Sequence, residues 1–326
     1  MIGVTIKTWA DDECRDERSK GCCSLRDIDD ARSVARKINI PYYVMDLSGD
    51  FRGKVIDYLV EDYLQGRTPN PCIECNRSIK FGLLLEKARE LEADFVATGH
   101  YARIGYAEDE ERFFVEEGAD AGKDQSYVLF GLTQEQLSRT LLPVGPLQKK
   151  EVRALAEELG LRVFDKPDSQ EICFVKTNYG DFVRRYAPER LPGEGALIGQ
   201  KGEPLGVHAG SHLFTIGQRK RIGVTGAEPY YVTRIDAEHN RVTIGREKEL
   251  FTRDMTVHRL NWLLKPRTGN CEVKIRYKSS KVPAMILSLQ ENTAVLRFRD
   301  FQKAVTPGQA AVFYDGARVI GGGWIK

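Results

Sequence analysis

No stretch of the 326-residue chain approaches the roughly 20 consecutive apolar residues of a membrane-spanning helix, and the first residues lack the length of a secretory signal. A cytoplasmic location is the resulting expectation. An excess of one charge is also missing: 49 Lys and Arg face 47 Asp and Glu, for a formal charge of +2. That balance neither demands nor excludes nucleic acid, because a folded surface can sort its charges into patches. Cysteine is scarce and odd in number, at seven, which argues against a structural disulfide framework and leaves metal, redox or nucleophile roles. Internal repeats and low-complexity tracts are absent. The length points to two or three domains.

Residues 2 to 100 alternate apolar runs with amphipathic stretches: Ile2 to Ile6, a helix over about Ser24 to Ile38, Tyr42 to Leu47, and a helix over Phe51 to Gln65. That order predicts an α/β fold with parallel strands. Ile28, Ala31, Val34, Ala35 and Ile38 keep a helical period, and Ser24 with Asp27 three residues on forms a capping-box-like start. Helices over about Cys72 to Leu91 and Gln148 to Leu159 flank Phe95-Val96-Ala97-Thr98, a run short and apolar enough for a buried parallel strand. Thr98-Gly99-His100 then falls at a strand's carboxyl end, where open α/β sheets collect ligands.

After Cys173 the helical pattern fades into closely spaced Pro and Gly, predicting a small β-rich middle domain. From about residue 251 strands dominate, at Glu272 to Tyr277, Ala284 to Leu289, Ala294 to Phe298, Ala310 to Tyr314 and Ala317 to Ile320. Asp315-Gly316 is a hairpin signal, and the even spacing favours a small barrel or sandwich. The expected boundaries are 1–175, 176–250 and 251–326.

The chemistry-bearing residues gather in two cysteine motifs: Asn70-Pro71-Cys72-Ile73-Glu74-Cys75-Asn76 and Asp168-Ser169-Gln170-Glu171-Ile172-Cys173-Phe174. Cys72 and Cys75 lie one helical turn apart just after Pro69 and Pro71, where a helix amino terminus lowers a thiol's pKa and favours the thiolate. Zinc, redox exchange and plain packing also use this spacing. Cys173, among Ile172, Phe174 and Val175, reads alone as a small buried hydrophobe. Cys14, Cys22 and Cys23 occupy a charged stretch and with Cys72 and Cys75 could assemble a thiolate metal site, although their spacing is irregular. Cys271 heads a strand and reads as packing.

His100 follows a glycine at a strand end, where a structural histidine and a ligand-facing one are both compatible with the position. Lys123-Asp124-Gln125-Ser126-Tyr127 joins a cation, an amide and an aromatic ring, suited to phosphate, base edge and stacking, or to a solvated turn. Gly217-Gln218-Arg219-Lys220-Arg221-Ile222-Gly223 is a basic, glycine-bounded loop suited to phosphates.

Taken in order, Gly66-Arg67-Thr68, the first cysteine motif, Ala97-Thr98-Gly99-His100-Tyr101, Lys123-Asp124-Gln125-Ser126-Tyr127 and the second cysteine motif resemble the tRNA-specific 2-thiouridylases, over nearly the whole chain. The resemblance implies an amino-terminal nucleotide-binding domain of the adenine nucleotide alpha hydrolase-like type, a small β-rich middle domain and a carboxy-terminal β-barrel. It implies ATP-dependent replacement of the O2 oxygen of a tRNA wobble uridine by sulfur, with Mg2+, and with a cysteine desulfurase or sulfur-relay protein as donor. Cys75 takes the nucleophile's position and Cys173 that of the persulfide, so their Cα atoms are expected within about 7 Å after any loop movement. Asn70, Pro71 and Cys72 take the segment that meets the target base, and His100 the base pocket. Lys123, Asp124, Gln125, Arg276, Tyr277 on a barrel strand, and Gln309 within Thr306-Pro307-Gly308-Gln309 take tRNA-facing positions. Ile6 and Gly99 mark the nucleotide site.

Members of the family open with a strand, a Ser-Gly-Gly-x-Asp-Ser phosphate loop and a helix, none of which precedes Ile2-Gly3-Val4-Thr5-Ile6-Lys7-Thr8-Trp9. The expectation is weak or no ATP binding. Two rival readings follow, a tRNA-binding or sulfur-carrier protein without adenylation, and a zinc-stabilised module.

Overall fold

The computed structural model describes residues 1–8, 25–167, 172–175 and 178–326. Trp9, Cys14, Cys22, Cys23 and the Asp168-Ser169-Gln170-Glu171 part of the second motif lie outside the described residues, as does most of the five-cysteine metal reading.

The amino-terminal third has the expected α/β order. Strand β1 (Gly3–Lys7) and β2 (Tyr42–Asp46) pair in parallel, joined through helix α1 (Leu25–Lys37). The helix expected over Phe51 to Gln65 is divided: α2 (Ser48–Phe51), a π-helical stretch (Arg52–Ile56), then α3 (Asp57–Leu64). The next helix is divided likewise into α4 (Pro71–Glu74), a π-helical stretch (Cys75–Leu83) and α5 (Leu84–Glu90). Such wide turns recur at functional sites in helices. Strand β3 (Val96–Ala97) leads to a hairpin, β4 (Ala102–Ala107) and β5 (Arg112–Glu117), that the sequence pattern did not announce. After α6 (Gln134–Ser138), β6 (Thr140–Leu141) pairs in parallel with β3, and α7 (Lys149–Glu158) follows.

Helix α8 (Tyr179–Tyr186) precedes a four-stranded sheet of order β8-β7-β10-β9, made of β7 (Gly195–Ile198), β8 (Pro204–His208), β9 (Tyr231–Asp236) and β10 (Arg241–Gly245). The carboxy-terminal strands are β11 (Phe251–Trp262), β12 (Gly269–Lys274), β13 (Val282–Gln290), β14 (Thr293–Lys303), β15 (Ala310–Asp315) and β16 (Arg318–Ile325). Their order, β11-β14-β13-β12-β15-β16, closes on itself through β11–β16, so the sheet is a six-stranded antiparallel barrel. Closure removes the sheet edge that would otherwise invite pairing. Asp315 pairs with Arg318 across a two-residue loop whose Gly316 has φ +58°, as the Asp-Gly signal predicts.

Two strand expectations are corrected. The strand expected over Glu272 to Tyr277 ends at Lys274, because the Ser279 amide and hydroxyl both bond the Arg276 carbonyl and turn the chain, so Arg276 and Tyr277 sit in a loop. The last strand runs past Ile320 to Ile325 through Gly321-Gly322-Gly323, residues of poor strand propensity. They are required by close approach: a Cβ on Gly322 would lie 2.8 Å from the Phe130 ring, and one on Gly321 2.8 Å from the Asn261 carbonyl.

Among the described residues burial creates three cores. The largest joins the barrel interior to Ile73, Phe81, Leu85, Tyr127 and Phe130. A second packs Leu47, Phe51, Val55, Leu59, Ile79, Phe174 and Phe182 together, and the third lies inside the middle sheet.

Candidate active site

The cysteine-bearing helix is held at its base by the loop before it. Helix α3 ends in a Schellman turn: the Gly66 amide donates to Tyr63 O at 3.1 Å and the Arg67 amide to Asp62 O at 2.8 Å, with Gly66 at φ +71°. A side chain there would strike Ile235 of β9 at 2.7 Å. The Arg67 guanidinium clasps the buried Asp62 carboxylate. Thr68 then crosses to the barrel: its amide donates to Pro307 O at 2.9 Å, and its carbonyl accepts from Gln309 Nε2 at 2.8 Å. A single turn thus ties together α3, the middle sheet and the barrel.

Asn70 caps α4, its side chain accepting from the Cys72 amide at 3.1 Å, and Pro71 fills the first helical position. Cys72 is exposed and Cys75, where the helix widens to π geometry, is half-buried. Between them Glu74 is buried, bonded by Arg77 at 2.9 Å and by the Ser78 hydroxyl.

Cys75 and the half-buried Cys173 pack against the same core, and so does Ile6 of β1. Phe174 seats that segment, its ring 5.6 Å from Phe51 and 5.4 Å from Phe182. Three residues far apart in the chain therefore share one apolar platform.

Along the same helix, Lys80 and Phe81 reach His100. The imidazole is buried 5.8 Å from the Phe81 ring, with Nδ1 2.8 Å from the Thr98 hydroxyl. Burial, with the Lys80 charge adding to it, pushes its pKa down to about 3, so the ring is neutral. Gly99, next to it at the end of β3, is exposed, and nothing lies within 4 Å of where its Cβ would be. That strand end is open to solvent. Among the described residues no three His, Cys, Asp or Glu side chains converge on a metal site.

The Lys123-Asp124-Gln125 segment faces inward more than its composition suggests. Gln125 brackets the chain after His100: its Oε1 accepts from the Tyr101 amide at 2.9 Å and its own amide donates to Tyr101 O at 2.8 Å. Asp124 forms a buried ion pair with Lys274 at 3.2 Å and accepts from the Ser126 hydroxyl and the Gly118 amide. Lys123 begins the segment, its amide donating to Asp120 O at 2.9 Å. Tyr277 stands 6.0 Å from the Tyr127 ring, and its pKa is raised by burial and then by the charges of Asp124 and Cys72. Tyr277 thereby joins the cysteine motif to the Asp124 segment. Arg276 points its guanidinium at the Lys303 and Ala304 carbonyls.

Of the residues the sequence singled out, Asn70, Pro71, Cys72, Cys75, His100 and Tyr277 gather around one helix; Gln309 and Asp124 hold that assembly from beneath. Lys274 was not singled out, and Thr68 and Asn76 were named only as members of their motifs. Asn76 is buried, with Nδ2 donating to Val128 O at 3.1 Å and no donor at Oδ1. Its place beside Cys75 was the available signal. Cys271 packs against the barrel core, its thiol pushed up to about 12 by burial, as a packing residue should be. No described helix is long and apolar enough to cross a membrane.

Residues 1–177 match a family model described as the HUP domain of tRNA methyl transferases, residues 180–246 the PRC-barrel domain of the same group, and residues 252–325 the aminomethyltransferase β-barrel domain. Similar proteins include the tRNA-specific 2-thiouridylase MnmA of Symbiobacterium thermophilum, 49% identical over all of this chain and 85% of the relative. The proteins of that name from Geotalea uraniireducens and Acetivibrio thermocellus are 48% and 45% identical, again over the whole chain, and over 88% and 92% of their own lengths.

Proposed function

Because the chain belongs to the tRNA-specific 2-thiouridylase family, we propose that it is an ATP-using sulfurtransferase that places sulfur at C2 of a wobble uridine in tRNA. The observation that carries this reading is the packing of Cys75 and Cys173 against one core, with an exposed Cys72 one helical turn before Cys75 and an open strand end at Gly99. Methyl transfer needs no such pair of thiols, whereas sulfur transfer does.

In this reading Cys173 carries a persulfide charged by a cysteine desulfurase or relay protein. Uridine O2 is a poor leaving group until adenylation by ATP converts it to one that departs as AMP. The outer sulfur of Cys173 attacks C2, forming Cys173–S–S–C2 as AMP leaves. The Cys75 thiolate then attacks the Cys173 sulfur, closing a Cys75–Cys173 disulfide and releasing 2-thiouridine; a dithiol reductant reopens the enzyme. The target base must leave its stack, which costs least in an unpaired anticodon. In this reading Asn70, Pro71 and Cys72 meet it. Neutral His100 hydrogen-bonds without charge, and Lys123, Arg276 and Tyr277 line the approach. The segments 1–175, 176–250 and 251–326 divide the labour between chemistry, a middle sheet and RNA-contacting barrel.

The test is thiouridine formation and AMP release with purified tRNA, ATP, Mg2+ and a persulfide-charged donor. Cys75→Ser and Cys173→Ser should each lower thiouridine formation by at least about 100-fold while tRNA affinity stays within about threefold. Full activity in either variant would sink the assignment of that thiol. AMP release absent from the wild type, with tRNA still bound, would favour a carrier role.

A further inference from the structure

Away from the cysteines, a cavity of about 530 Å³ opens between the end of α3, the start of α8 and the turns after β8. Tyr63, Tyr179, His212, Lys220 and Arg221 are among its walls. His212 is 2% exposed, and neither ring nitrogen has a hydrogen-bond partner among the described residues. Folded proteins rarely leave a buried polar group in that condition. His208, also on the cavity wall, is better provided for: its Nδ1 accepts from the Gly210 amide at 3.0 Å, and the Ala196 and Asn240 carbonyls lie against its ring, although Nε2 makes no well-formed bond. The unfilled capacity is chiefly that of His212.

The local backbone is built around that ring. Gly210 has φ +139°, and a Cβ there would lie 2.5 Å from His212 Cε1, so only glycine admits the imidazole. Burial lowers the His212 pKa, and the nearby Arg184 charge lowers it further, leaving a neutral ring with one N–H to donate. Lys220 and Arg221 bring positive charge to the cavity. Its single lining carboxylate, Asp181, is already engaged by Arg184 at 3.5 Å and by the Asn178 side chain. Tyr63 and Tyr179, stacked at 5.4 Å, supply an aromatic wall.

We propose that this cavity binds a phosphoryl group, with the His212 N–H donating to a phosphate oxygen and Lys220 and Arg221 neutralising its charge. Charge-assisted donors around one concavity are what such an oxyanion selects. The group has two sources, a free phosphate ester or the backbone of bound RNA. The cavity stands whether or not the chain performs sulfur chemistry.

The experiment titrates the full chain with inorganic phosphate, following histidine ring ¹⁵N signals in the wild type and Lys220→Gln, and the ³¹P line width in these and in His212→Phe. It also measures tRNA affinity from about 50 to 200 mM salt. Phosphate should shift the His212 ring saturably, Lys220→Gln should weaken that affinity about threefold to tenfold, and His212→Phe should abolish ³¹P broadening. If RNA is the source, Lys220→Gln also reduces the slope of log affinity against log salt by about 0.7 to 0.9, one phosphate contact. If a free ester is the source, phosphate binding weakens while that slope stays at the wild-type value. Lys220 is exposed, so its variant keeps the test alive should His212→Phe fail to fold. A His212 ring unmoved by tens of millimolar phosphate in folded wild-type protein overturns the proposal, as does broadening that both variants leave intact.

Discussion

His100 shows how a single side chain can be read in sequence and still mislead about its surroundings. Its position after Gly99 marked a strand end, and the structure has it there, but no local pattern reveals that Phe81 and Lys80, carried on another element, bury it and hold it neutral. The consequence is a pH dependence of definite sign. The folded pKa of about 3 lies below the ordinary value of 6.5, so between those limits the unfolded chain binds a proton that the native one does not. Stability from this group is complete above about pH 6.5 and is lost as the pH falls, by up to about 1.4 kcal/mol per unit. Urea unfolding at pH 5 and pH 7.5 should show wild-type stability falling in acid, and His100→Gln should reduce that fall. His208, His212 and His258 are shifted in the same direction, so the variant should flatten the profile without levelling it. A difference between the two pH values as large in the variant as in the wild type would refute the assignment.

At the scale of elements, the stretch from Gly66 to Asn70 was legible as a motif but not as a joint. Its glycine, and the prolines at 69 and just beyond it at 71, announce a helix end and a helix start, and both are there. What local pattern cannot carry is a contact spanning 241 positions, such as Gln309 Nε2 on the Thr68 carbonyl. Gln309 took a tRNA-facing position through the resemblance alone, and its amide also braces the loop that leads into the cysteine helix. The β4–β5 hairpin escaped notice for a related reason, since it pairs with β16, two hundred residues away in sequence. Gly308 tests the joint directly. It has φ +87°, and a Cβ would lie 2.8 Å from both Arg67 Cβ and the Thr68 amide nitrogen. Gly308→Ala should cost about 1–3 kcal/mol in urea unfolding through backbone strain alone. It should also alter the alkylation rate of Cys72 by displacing the loop that seats α4. Asn70→Ala, which removes only the cap, should cost about 1 kcal/mol. Equal stability of the Gly308 variant and the wild type would mean that the barrel does not brace this loop.

Over the whole molecule, the barrel and the α/β part share an interior. Phe130, from the segment after Asp124, lies 5.4 Å from Trp324 on β16 and against Gly322, while Asn261 Nδ2 donates to the Phe130 and Leu132 carbonyls at 2.6 and 3.0 Å. Arg112, on the β4–β5 hairpin, adds bonds to the Trp262 and Leu263 carbonyls at 2.8 and 2.7 Å. Strand spacing made a barrel legible, but the periodicity of either partner is satisfied by any apolar face, so the union of the two cores was not. Elements that bury one continuous core should lose it together. Helical ellipticity at 222 nm reports mainly the α/β part; tryptophan fluorescence, measured in a Trp9→Phe background that leaves Trp262 and Trp324, reports mainly the barrel. Their urea midpoints should coincide. Phe130→Ala should destabilise the protein by about 3–5 kcal/mol and move both midpoints by the same amount. Midpoints that separate in the variant, with fluorescence lost first, would mean that the barrel's stability rests on this ring while the helices stand without it.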